Sequence, residues 1–126
     1  MGDGGIARQN RRVARPSRLL LALRRDLAAV GDPARARGAQ AYMKSAMPFH
    51  GVGAVPLRAA CRTLFAGLEL PDAAEFREEV LGVFRGARYR EELYAAVELA
   101  RLKRAAPLRD LAFLPACEEM VVAGAW

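Results

Sequence analysis

Between Gln40 and Pro56 the chain reads Gln40-Ala-Tyr-Met-Lys-Ser-Ala-Met-Pro-Phe-His-Gly-Val-Gly-Ala-Val-Pro56. This stretch predicts a helix that ends near Ser45, a loop, and a new helix that starts at Pro56. Pro48, Gly51 and Gly53 enforce the loop, because proline and glycine both disfavour a helix interior. The stretch therefore indicates two consecutive helices joined by a tight connection.

Helical spacing of apolar residues continues on both sides of this stretch. Leu20, Leu23, Leu27 and Val30 repeat at positions that share one helix face, and Ser17 is a plausible N-cap. We predict six helices, over about residues 17–30, 33–45, 56–68, 73–85, 89–104 and 111–123. Pro115 lies in the first turn of the sixth helix or kinks it.

The fifth predicted helix alternates an apolar face with a charged one. Leu93 and Ala96 lie on the apolar face, and we expect Glu91, Glu92 and Arg101 to face solvent.

Six helices without any period-two alternation predict an all-α chain. Taken in order, the helices form three hairpins of about 40 residues each, which is the period of HEAT-like repeats. This would be a truncated α-solenoid, although a closed helical bundle fits the pattern alone almost as well. Residues 1–16 are rich in Gly and Arg and predict a basic, disordered arm, whereas residues 17–126 form one helical repeat domain, which we expect to be incomplete at its C-terminus.

The charge of the chain is unevenly distributed. Residues 1–63 carry 12 Lys/Arg and 3 Asp/Glu, and residues 64–126 carry 8 and 11, which splits the net charge of +6 into +9 and −3. A basic half next to a nearly balanced half is typical of a phosphate-binding face. No apolar run of about 20 residues is present, so we expect no membrane segment and a cytoplasmic location.

The residues that usually bind metals are scattered. Cys61 and Cys117 have no second Cys or His at metal-ligand spacing, and we interpret both as small buried apolar residues. His50 is the single histidine. We therefore expect no metal and no cofactor.

Four residues around the loop could bind a phosphate. Tyr42 and Lys44 lie at the end of one helix beside the start of the next, and Arg58 and Arg62 share a face one turn apart. The alternatives are ordinary helix packing for Tyr42, and a solvated face paired with Glu69 or Asp72 for the arginines.

The Tyr-Met-Lys, Phe-His-Gly and Pro-Leu-Arg segments resemble the first helix-turn-helix of the DNA alkylation repair family, which consists of HEAT-like repeat DNA glycosylases. The resemblance implies that Tyr42, Lys44, Gly51, Arg58 and Arg62 face double-stranded DNA. The spacing between Gly51 and Pro56 is one residue longer than is usual in the family. The resemblance also implies a monomer when full length, associated with the nucleoid.

Members of this family hydrolyse the N-glycosidic bond of cationic N-alkylated purines such as 3-methyladenine and 7-methylguanine. The family's Trp-Trp-Asp-x-Val-Asp motif begins here at Trp126, which the resemblance places close to the lesion. The motif's catalytic Asp would follow Trp126, so this chain is expected to hold the DNA-positioning half and to be inactive alone. The alternatives are a non-catalytic module that binds DNA or protein, and an inactive fragment.

Overall fold

The computed structural model describes residues 17–123. Within them the chain is all-α and HEAT-like, as predicted. Residues 17–123 contain six α-helices, α1 (Arg18–Val30), α2 (Pro33–Met43), α3 (Ala54–Ala66), α4 (Ala73–Gly86), α5 (Arg90–Ala100) and α6 (Leu114–Val122), with two 3₁₀ helices, Lys103–Leu108 and Leu111–Phe113, between α5 and α6. None of these helices is both long enough and apolar enough to cross a membrane.

Side-chain caps fix the start of α1, α2 and α4 where the sequence predicted these helices to begin. Ser17 Oγ accepts a hydrogen bond from Leu20 N at 2.9 Å. Asp32 Oδ1 accepts one from Ala34 N at 2.9 Å, and Pro33 occupies the first turn of α2. Asp72 Oδ1 accepts a hydrogen bond from Glu75 N at 2.8 Å at the start of α4. Each cap satisfies an amide that has no partner inside its helix.

The third helix begins earlier than predicted. It starts at Ala54 rather than Pro56, and Gly53 is its N-cap residue. Pro56 fits inside the first turn because the amides of that turn need no intrahelical acceptor.

The fifth helix is shorter than predicted, since it ends at Ala100 and a 3₁₀ helix follows. The Arg109 guanidinium donates hydrogen bonds to Ala100 O at 3.0 Å and to Leu102 O at 2.8 Å, which satisfies carbonyls at the end of the helix. In the sixth helix Pro115 lies in the first turn.

The core lies between α1, α3, α4 and α5. Helix α3 packs against α1 and α5, and α4 packs against α1, α5 and α6. The most deeply buried large side chains are apolar except for two glutamates: Leu20, Leu23, Leu27, Phe65, Phe76, Val80, Val83, Leu99, Glu91 and Glu92. Helix α2 contributes no buried residue to this core.

The two cysteines differ in burial. Cys61 is buried in the core, as predicted, whereas Cys117 is only partly buried and packs against the core's edge. Burial raises the pKa of the Cys61 thiol to about 12, and Glu98 adds to the increase.

Candidate nucleic-acid interface

The side chain of Glu91 binds the backbone of the loop between α2 and α3. Its Oε1 accepts a hydrogen bond from His50 N at 2.8 Å, and its Oε2 accepts one from Gly51 N at 2.9 Å and one from Val52 N at 3.0 Å. Three consecutive amides therefore converge on one carboxylate that is 2% exposed. Hydrogen bonds to a charged acceptor are among the stronger ones in proteins.

Glu92, the next residue, links three parts of the chain. It accepts hydrogen bonds from Arg24 Nε at 3.0 Å and Nη2 at 2.8 Å, and it lies 2.7 Å from His50 Nε2. Glu92 Oε1 also accepts a hydrogen bond from Arg88 N at 2.9 Å. This fully buried carboxylate thus ties α1 and the loop to the start of α5.

The electrostatics of Glu92 follow from these contacts. Burial by itself raises the pKa of this carboxyl, but the hydrogen bonds from His50, Arg24 and Arg88 and the charge of Arg24 outweigh it and lower the pKa to about 2. The same contact raises the pKa of the Arg24 guanidinium. Glu92 is therefore a carboxylate at neutral pH. Because a carboxylate can only accept, His50 Nε2 is the donor in the hydrogen bond between the two side chains.

The loop is also fixed at its other side. The His50 ring stacks on Tyr89, with the two ring centroids 3.8 Å apart, and Pro48 O accepts a hydrogen bond from Arg90 N at 2.9 Å. Because these residues come directly before or at the start of α5, the loop is docked along that helix end.

Two glycines are required by the close approach of the loop to helix α2. Gly51 has φ +85°, and a Cβ there would lie 2.0 Å from Asp32 O. A Cβ on Gly31 would lie 2.3 Å from His50 O. The loop backbone therefore lies directly against the connection between α1 and α2, and larger residues would separate them.

The predicted site residues at the end of α2 are exposed. Tyr42 is 87% exposed, so it does not pack between helices of the described chain. Lys44 is exposed and has φ +50°, the left-handed conformation, and its amide closes the helix by bonding Ala41 O. The side chains of both residues therefore project from the surface next to the anchored loop.

Arg58 and Arg62 lie one turn apart on the exposed face of α3. Neither pairs with Glu69 or with Asp72, whose carboxylate instead caps α4 by accepting Glu75 N at 2.8 Å. Gly51 is buried, and its amide is bound to Glu91. Gly51 therefore shapes the loop rather than offering its own N–H to a ligand.

A continuous basic segment surrounds these residues. Residues 33–68 contain five basic residues and no acidic residue. All five are exposed, and none forms a salt bridge with a carboxylate of residues 17–123: Arg35, Arg37, Lys44, Arg58 and Arg62. We call these five residues the basic face.

Several basic residues later in the chain are arranged differently. Arg85 pairs with Glu119 at 2.6 Å, Arg101 lies 3.8 Å from Glu98, and Arg104 donates to the carbonyls of Phe65 and Leu68. The charges of Arg85 and Arg101 are offset by carboxylates, and Arg104 is used within the protein. Arg88 and Lys103 are exposed and form no salt bridge with a carboxylate of residues 17–123.

The chain matches a known protein family. The family model described as DNA alkylation repair enzyme matches residues 23–126. The chain belongs to the DNA alkylation repair enzyme family. No curated protein and no solved structure gives a significant match to the chain. Family membership supports a role in DNA repair, with DNA as the substrate.

Two buried glutamates that hold the loop of this DNA alkylation repair protein were not predicted from the sequence. Glu91 and Glu92 were expected to face solvent, and that prediction is wrong. A signal was present, because each lies one turn before a buried alanine, Ala95 or Ala96, and so falls on the core side of α5. Acidic residues are also common in the first turn of a helix, and this masked the signal.

Arg35 and Arg37 were missed as well. The Arg35 guanidinium lies close to Gly53, where a Cβ would be 2.9 Å from Nη2, so this arginine stands beside the start of α3. Trp126 and the basic arm of residues 1–16 lie outside the described residues. Among residues 17–123, no group of three or more His, Cys, Asp or Glu side chains is arranged to hold a metal ion.

Proposed function

We propose that this chain is the DNA-positioning part of a DNA glycosylase that removes cationic N-alkylated purines such as 3-methyladenine and 7-methylguanine. The observation that carries the proposal is the basic face, five exposed cations on α2, α3 and their connection with no carboxylate partner in the described chain. Exposed cations without carboxylate partners are what a phosphate backbone requires.

The conformation of Lys44 supports a role for its side chain. A residue other than glycine in the left-handed region costs about 1 kcal/mol or more, and glycine is the usual choice at this helix-ending position. A lysine here is therefore locally unfavourable. A phosphate contact made by its ammonium group would account for its presence.

Tyr42, Arg58 and Arg62 can also contact phosphates. A tyrosine that is 87% exposed can donate its hydroxyl to a phosphate, and two arginines one turn apart can contact adjacent phosphates of one strand. Contacts of this kind set the register of the protein on the duplex without specifying sequence. Such contacts suit an enzyme that must examine many base pairs.

The chemistry follows from the lesion. A cationic N-alkylated purine is already a good leaving group, so the enzyme has to stabilise the positive charge that develops on the sugar, with a carboxylate and an oriented water. Glu91 and Glu92 are unsuited to that task, because both are buried and occupied by hydrogen-bond donors of the loop. Neither residue is therefore proposed as the reacting carboxylate.

The proposal includes a cytoplasmic, nucleoid-associated monomer when full length, acting on double-stranded DNA without a metal or cofactor. Binding is tested by replacing Lys44, Arg58 and Arg62 together with Ala and measuring duplex affinity against salt concentration. Three lost phosphate contacts should lower the slope of log affinity against log salt by about 3, since each contact contributes about 0.9.

The matched control removes three other cations, Arg77, Arg101 and Lys103, and should leave most of the slope in place. An equal loss of slope in both triple variants would remove the basic face as the DNA-binding surface.

Catalysis is tested by release of 7-methylguanine from methylated DNA by the full-length protein. Release establishes the glycosylase. DNA binding without release would establish the alternative, a non-catalytic DNA-binding module.

A further inference from the structure

Helix α2 has an unusual position, because it carries much of the basic face but is not packed into the core. None of its residues is buried. On its inner side a cleft of about 370 Å³ separates Pro33, Arg37 and Gln40 from the loop residues Phe49 and His50. Apolar packing therefore does little to fix the orientation of this helix.

The start of α2 is held instead by the loop that follows the helix. Asp32 N donates a hydrogen bond to Gly51 O at 3.1 Å. The close approaches at Gly31 and Gly51 bring His50 and Gly51 directly against residues 31–36. The end of α2 runs into the same loop through Lys44 and Ser45. The start of the helix thus depends on where residues 50–52 are placed, and its end leads into the same loop.

Residues 50–52 are placed by Glu91. Their three amides donate to its two carboxylate oxygens at 2.8 to 3.0 Å, across 39 to 41 positions of sequence. The Glu91 carboxylate on the core helix α5 therefore binds all three amides of the loop segment that contacts the start of α2, and the contacts of His50 with Glu92 and Tyr89 add to this anchor. Hydrogen bonds rather than apolar packing therefore hold α2 in place.

We propose that Glu91 is a positioning residue for the DNA interface, which it orients through the loop amides without touching DNA. This inference rests on the proposed function in naming DNA as the ligand of the basic face. Its physical content is independent of the ligand: the carboxylate of Glu91 determines the position of α2 and of the side chains of Arg35, Arg37 and Lys44.

The test uses Glu91→Gln in the full chain. The amide keeps the size of the carboxylate but replaces one acceptor oxygen with an NH₂ group that faces N–H donors. Hydrogen exchange should accelerate by about tenfold or more at residues 50–52 and along α2, while the core amides of α4 keep their rates. The matched control is Glu78→Gln, since Glu78 is exposed on α4 and should leave every rate unchanged.

DNA binding provides the second readout. Glu91→Gln should weaken duplex affinity about tenfold and lower the salt slope by about 1, because phosphate contacts from a displaced α2 are lost. A merely destabilised protein would show faster exchange in all helices and an unchanged salt slope. That result, or unchanged exchange at residues 50–52, would overturn the proposal.

A third readout covers the case in which Glu91→Gln does not fold. In the wild-type protein the amides of residues 50–52 should exchange as slowly as those of α5, although they lie outside any helix; fast exchange there would equally overturn the proposal. Failure of wild-type DNA binding is a separate outcome, since it would remove the proposed function while the exchange pattern still decides whether Glu91 holds α2.

Discussion

The pH dependence of stability offers a direct test of the buried carboxylate at position 92. We consider Glu92→Gln, which is close in shape to a protonated Glu92 and cannot ionise. In the wild-type protein this carboxylate accepts two hydrogen bonds from Arg24 and one each from His50 Nε2 and Arg88 N. The substitution keeps one acceptor oxygen and removes the charge that these donors require.

The magnitude follows from the difference between the folded and unfolded pKa. Burial opposes ionisation, but the donors win and the folded pKa is about 2, against an ordinary value of 4.5. Because the folded pKa is the lower one, the unfolded chain takes up the proton first as the pH falls. The contribution is therefore complete above about pH 5, corresponds to about 3 kcal/mol, and disappears as the pH falls towards 2.

The assay is urea unfolding of the wild-type protein and of Glu92→Gln at a series of pH values from about 7 to about 2. The stability gap should be about 3 kcal/mol near neutral pH and less than about 1 kcal/mol at pH 2. Glu78→Gln, which changes an exposed carboxylate, should stay within about 0.5 kcal/mol of wild type at neutral pH. A gap that stays constant across the pH range would refute the assignment of the low pKa to Glu92.

Other positions make independent predictions about packing and reactivity. Gly51→Ala should destabilise the protein by about 2 kcal/mol or more, since its Cβ would collide with a carbonyl at positive φ; an unchanged urea midpoint would contradict this. Phe76→Ala removes a fully buried ring and should cost about 3 to 5 kcal/mol in the same assay. In the native protein a thiol reagent should modify Cys117 well before Cys61, whose pKa is about 12; mass spectrometry of the labelled peptides gives the order.

Much of the fold was predictable because its signals are local. Ser17, Asp32 and Asp72 cap helices by bonding amides two or three positions away, so the capping residues and the first apolar turn appear together in the sequence. Helix ends were predicted less accurately where a residue from outside the helix binds its terminal carbonyls. The end of α5 is an example, because the guanidinium that binds its last carbonyls comes from Arg109, which follows the helix by nine residues.

The predicted DNA-binding residues show the same division. The exposed positions of Lys44, Arg58 and Arg62 agree with their polarity, and the charge split of the sequence indicated a basic surface. Nothing local distinguished an available cation from a paired one. Arg85 became a salt-bridge partner only because α6 brings Glu119 against it from 34 positions away.

The sequence by itself determined the helical content, most helix starts and the basic character of the first half, since each depends on neighbouring residues or on simple counts. Only the tertiary structure decided that Glu91 and Glu92 are buried and what they hold. Two adjacent glutamates at a helix start look solvated until loop amides and Arg24, up to 68 positions away, are folded onto them. A buried carboxylate is tolerable only with such donors, and those donors are specified by the fold.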